Sequence, residues 1–120
     1  MNIHTRTVGE VHILDVSGKI VLGQETKLVR FTIKDLLHNG VKKIVLNLAE
    51  VNHIDSSGVG ELVSALTSVA KEGGKLELLN LTTKVKEILA ITRLLTVFQV
   101  YDNEEDALSA AVGTKSTPST

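Results

Sequence analysis

The chain has 120 residues and a formal net charge of −1, with 42% hydrophobic residues but only 2% aromatic ones. This length suits one domain with an aliphatic core, while the near-neutral charge and the aromatic shortage argue against a basic nucleic-acid or membrane surface and against base stacking. The absence of cysteine excludes disulfides, zinc-thiolate sites and thiol catalysis.

Residues 2–7 and 11–17 read as two strands joined by a hairpin at Gly9-Glu10, with Ser17-Gly18 breaking the second. Residues 24–38 place Leu28, Phe31, Ile33, Leu36 and Leu37 between Lys27, Arg30, Lys34 and Asp35, the pattern of an amphipathic helix that Asn39-Gly40 ends. The run from Ile44 to Leu48 is continuous and branched, as in a central strand covered on both faces. A polar turn follows. A second helix starts around Ser57 and stops at Glu72-Gly73-Gly74. Leu76 to Leu79 forms the next strand, Thr82 or Thr83 caps a third helix, Thr96 to Tyr101 reads as a last strand, and Asn103 opens a short fourth helix.

The predicted order is β-β-α-β-α-β-α-β-α, an α/β fold with a mixed sheet of about five strands whose helices mainly cover one face. Residues 1–112 are expected to form one domain and the small polar residues 113–120 a flexible tail. No signal-peptide apolar segment opens the chain and no apolar run approaches membrane-spanning length, so the expectation is a soluble, cytoplasmic domain.

The chemically suggestive stretch is Ile54-Asp55-Ser56-Ser57-Gly58-Val59-Gly60. It puts two hydroxyls where the first free N–H groups of a helix point outward, a place that suits an added phosphate. The plainer reading is that Asp55, Ser56 or Ser57 is only an N-cap. A phosphate on Ser56 would add about two negative charges beside Asp55 and near Glu61, and a docked partner would meet that dianion in its contact. Catalytic readings fit less well. Gly58 and Gly60 supply part of a dinucleotide-binding turn, but Val63 stands where the third glycine belongs. A serine hydrolase would need a glycine before the serine and a placed histidine, and His4, His12, His38 and His53 are scattered without metal-binding spacing. Between Gly18 and Gly23, Ile20, Val21 and Leu22 either pack into the sheet edge or leave Val21 or Leu22 exposed as part of a docking patch.

The Asp-Ser-Ser-Gly-x-Gly element after the Lys43–Leu48 strand, with Gly18, Gly73-Gly74 and Phe98 to Tyr101, resembles the signature of STAS domains, in particular the bacterial anti-sigma factor antagonists, over about residues 3 to 111. The resemblance implies a partner switch. The unphosphorylated domain binds an anti-sigma factor that is also a serine kinase of the GHKL ATPase type and releases the sigma factor. Phosphorylation of the serine directly after the motif aspartate, here Ser56 with Ser57 as second candidate, abolishes binding, and a PP2C-type phosphatase resets it. The implied contact surface is Val21, Leu22, Asp55, Ser56, Ser57, Gly58, Gly60 and Glu61. No cofactor, metal or catalytic residue is implied. Val21 departs from the acidic residue that antagonists often carry there, which implies an altered partner surface. The alternative is a STAS module that binds a small ligand, a nucleotide or lipid, or serves as a scaffold in a transport or stress-sensing assembly.

Overall fold

The computed structural model describes residues 2–21 and 26–112. Leu22, expected in the contact surface, and the tail from residue 113 lie outside the described residues. Strands β1 (Asn2–Val8) and β2 (Val11–Ile20) form the expected hairpin, with Gly9 at φ +62° in its turn. Then follow α1 (Thr26–His38), β3 (Lys43–Ile54), α2 (Ser56–Lys71), β4 (Lys75–Leu79), α3 (Thr83–Ile91), a 3-10 turn (Leu95–Val97), β5 (Gln99–Tyr101) and α4 (Glu104–Val112). The strands lie side by side in chain order. β1 is antiparallel to β2 and all later pairs are parallel.

The strand period of two sorts side chains onto two faces. Leu14 and Val16 of β2, Ile44, Leu46 and Leu48 of β3, and Leu76 and Leu78 of β4 face α1, α2 and α3, which contribute Val29, Ile33, Val59, Leu62, Ala65, Val69, Val85 and Leu89. The opposite face carries Val11, Ile13, Val45 and Leu79, and α4 covers it with Ala107 and Ala111. β3 is therefore central and buried on both sides, as its apolar run predicts. β2 is buried on both sides too, which explains why Ile13 and Leu14 are both apolar.

Three boundaries correct the sequence reading. β2 does not break at Ser17-Gly18 but runs to Ile20 through register shifts between Asp15 and Ser17 and between Gly18 and Lys19, with Gly18 at φ +101°. Each shift leaves one extra residue bulged in β3 opposite β2, and glycine is the residue that adopts the dihedral of Gly18 cheaply. Residues 49–54 are not a polar turn: β3 continues to Ile54, which pairs with Ile20. Finally, Thr96 and Val97 belong to the 3-10 turn, so the last strand is only Gln99–Tyr101, with Phe98 buried just before it.

Candidate functional site

The carboxyl ends of β2 and β3 leave the sheet together, and the site is built where they do. Ile20 pairs with Ile54, and the backbone N–H of Asp55 donates to the Ile20 carbonyl at 3.3 Å. This bond holds Asp55 extended (φ −114°, ψ −175°), the backbone an N-cap requires. Asp55 Oδ1 then accepts from the Gly58 N–H at 2.9 Å, and its carbonyl accepts from Val59 N–H at 3.0 Å. Asp55 is thus the cap of α2, and Ser56 and Ser57 are its first two helical residues. Neither hydroxyl is needed for capping. The amides of these first positions have no acceptor within the helix, so a partial positive charge gathers at the exposed Ser56.

Gly58 has a different task. A Cβ there would overlap the Ile20 carbonyl oxygen and stand 2.7 Å from Ile54 Cγ1. Only a glycine lets the first turn of α2 settle against the end of β2. Gly60, on another side of the same helix, is exposed and has open space where its Cβ would be. The two glycines of the motif are therefore not equivalent.

Glu61 projects from the next turn and is held from outside the helix. Arg30 of α1 grips it with both arms of the guanidinium, Nε donating to Oε1 at 3.1 Å and Nη2 to Oε2. The charge expected to repel a phosphate is thus already paired with a cation. No sequence signal announces this pair, because its members are 31 residues apart on separate helices.

Of the expected contact residues, Asp55, Ser56, Ser57, Gly58, Gly60 and Glu61 lie between the end of β3 and the first turns of α2. Val21 directly follows Ile20 and is half-buried beside them; Ile20 itself is completely buried. His53 is exposed on β3, and His4, His12 and His38 lie on β1, β2 and the end of α1. Among the described residues no group of three or more His, Cys, Asp or Glu side chains could hold a metal ion. A recess of about 410 Å³ lies between the carboxyl halves of α1 and α2, lined by Lys34, Leu37, His38, Ser68, Lys71 and Glu72, and includes none of the motif residues. Among the described residues no helix is long and apolar enough to cross a membrane.

Two polar features escape sequence reasoning. Arg6 bridges Asp15 (2.7 Å) and Glu104 (2.7 Å), and Asn47 donates to Asp15 at 2.8 Å, so β1, β2, β3 and α4 are tied together at the sheet's α4 face. Glu77 is completely buried in β4.

This arrangement defines a mixed α/β domain that presents a capped, hydroxyl-bearing helix start at the carboxyl edge of its sheet. The model of the STAS domain family matches residues 2–107. A Thermotoga neapolitana protein assigned to the anti-sigma factor antagonists is 30% identical over 90% of this chain and 96% of its own length. The crystal structure of a Thermotoga maritima protein assigned to the same group superposes with a TM-score of 0.83 at 26% identity, over 92% of this chain and 94% of that one. The fold also recurs in a sulfate transporter family protein of Wolinella succinogenes, with a TM-score of 0.77 at 21% identity over 93% of each chain. The chain belongs to the STAS domain family and, within it, to the anti-sigma factor antagonists.

Proposed function

We propose that this protein is a cytoplasmic partner switch. In the unmodified state it binds an anti-sigma factor serine kinase of the GHKL ATPase type and so frees the sigma factor. Transfer of the ATP γ-phosphate to Ser56 ends the complex, and a PP2C-type phosphatase restores it. The domain itself is a binding surface rather than an enzyme. The observation that carries this reading is the division of labour at the start of α2. Asp55 fills the cap, which leaves the Ser56 hydroxyl exposed on the first turn. A phosphate placed there meets outward-facing amides and the positive end of the helix, so the fold tolerates it. A partner seated on Val21, Leu22, Asp55, Ser56, Ser57, Gly58, Gly60 and Glu61 would not tolerate it, because it would have to bury a dianion without a matching cation.

The direct test combines the protein with its cognate kinase and ATP and maps the modified residue by mass spectrometry. Labelling at Ser56, followed by loss of the complex, is the expected result. Labelling confined to residues other than Ser56 and Ser57, or an unchanged affinity after labelling, refutes it.

A second reading takes the recess between α1 and α2 as a site for a small anionic ligand such as a nucleotide, since Lys34, His38 and Lys71 line it. Native mass spectrometry of the purified protein distinguishes the two: a retained nucleotide or lipid favours this reading, and its absence favours the partner switch.

A further inference from the structure

Glu77 occupies the middle of β4, between Val45 of β3 and Gln99 of β5, on the face that α4 covers. It is completely enclosed, and neither carboxyl oxygen has a hydrogen-bond partner. A lone ionised carboxylate is among the most unfavourable groups to bury, and such a group keeps its proton instead. The lid above it is slight. α4 has nine residues and contributes only the small side chains Ala107 and Ala111 to this core, with Leu108 half-buried.

The charged and titratable groups around Glu77 do not neutralise it. Lys75, on its own strand, pulls its pKa down, but the Lys75 ammonium donates to the Ala110 carbonyl of α4 at 2.8 Å. Lys43, on the same face of β3, is held by Glu10 at 2.8 Å. On β2 the corresponding charge is Asp15, paired with Arg6, which also holds Glu104 of α4. Tyr101 of β5 and Asp106 of α4 bring no positive charge, and Glu77 and Asp106 together raise the Tyr101 pKa further after burial. Burial is the larger influence on Glu77 and pushes its pKa up to about 7.

We propose that Glu77 makes the seating of α4 proton-dependent: the neutral acid stays sealed beneath α4, and loss of its proton lifts α4 so that water reaches the carboxylate. Lifting α4 bares Val11, Ile13, Val45 and Leu79, an apolar row on the side of the sheet away from α2. The sign follows from linkage. The closed state binds its proton more tightly than the open state, so closure weakens as pH rises from the ordinary value of 4.5 towards 7 and is uniformly weak above that.

Hydrogen exchange read by NMR at pH 5 to 8 tests this, with each α4 amide expressed as a protection factor relative to amides of β3. In the wild type, α4 protection is expected to fall on the order of fiftyfold across that range while β3 holds. In Glu77→Gln, which keeps the shape and removes the charge, α4 protection is expected to be flat. Glu77→Leu supplies the same comparison if the amide disturbs folding. The proposal is overturned if wild-type α4 and β3 amides change in parallel, if either variant retains the pH dependence, or if the Glu77 carboxyl carbon titrates near 4.5.

Discussion

The carbonyl oxygen of Ile20 lies where a Cβ on Gly58 would have to be. Two stretches far apart in sequence thereby fix each other, since Ile20 also accepts the Asp55 N–H. Alanine is a better helix former than glycine by about 1 kcal/mol, so propensity alone favours Gly58→Ala. The overlap with backbone reverses the sign, and Gly58→Ala is expected to destabilise by about 1–3 kcal/mol in urea unfolding. Gly60→Ala, with open space around it, is expected to stabilise by about 0.5–1 kcal/mol. If Gly60 lies under the partner, the same methyl weakens the complex while strengthening the fold, which titration calorimetry can separate.

Asp55→Ala removes the acceptor of the Gly58 N–H and should cost about 0.5–2 kcal/mol, measured by chemical denaturation. Asp55→Asn keeps a side-chain oxygen in place and should recover most of that loss. A result in which both variants equal wild type would mean that the cap contributes nothing to α2.

Ser56→Ala is expected to bind the kinase constitutively in the presence of ATP. Ser56→Asp is expected to bind poorly, though less so than the phosphoprotein, because one carboxylate carries half the charge and fewer acceptors. Both should unfold within about 0.5 kcal/mol of wild type, since the residue is exposed and Asp55 already caps the helix.

Arg6 governs the acid limb of stability. Hydrogen bonds from Arg6 are the leading reason that Asp15 and Glu104 sit below their ordinary values of 3.8 and 4.5. A depressed folded-state pKa contributes stability above the ordinary value and loses it as pH falls through the lowered one. Unfolding midpoints of the wild type should therefore drop below about pH 4.5, and Arg6→Met should flatten that drop and lower the plateau at neutral pH. The groups are about one-third exposed, so added salt should shrink the difference.

Where periodicity was regular, the sequence was readable. The α2 stripe of Val59, Leu62 and Val69 and the unbroken Ile44–Leu48 run both marked their elements. Past Leu48 the buried positions are Val51 and Ile54, a spacing of three that matches no flat strand. The register shifts against β2 supply the reason, because each leaves an extra residue in β3, which therefore continues without strict alternation. The site motif was legible as a string, but the choice among Asp55, Ser56 and Ser57 for the cap depended on the Ile20 carbonyl, which only the fold brings near. Arg30 with Glu61, and the lone acid Glu77 inside an apolar strand, gave no local sign at all. Each is defined by what packs over it.

The side-by-side order of β1 to β5 has a temporal meaning. A ribosome emits the strands in the sequence in which they must stand, so every newcomer finds its docking edge already made and no early strand waits for a distant partner. The ledge that receives Ser56 needs only β2 and β3 beneath it. The acceptor hydroxyl therefore gains its seat once α2 is complete at Lys71, before β4, α3, β5 and α4 have emerged.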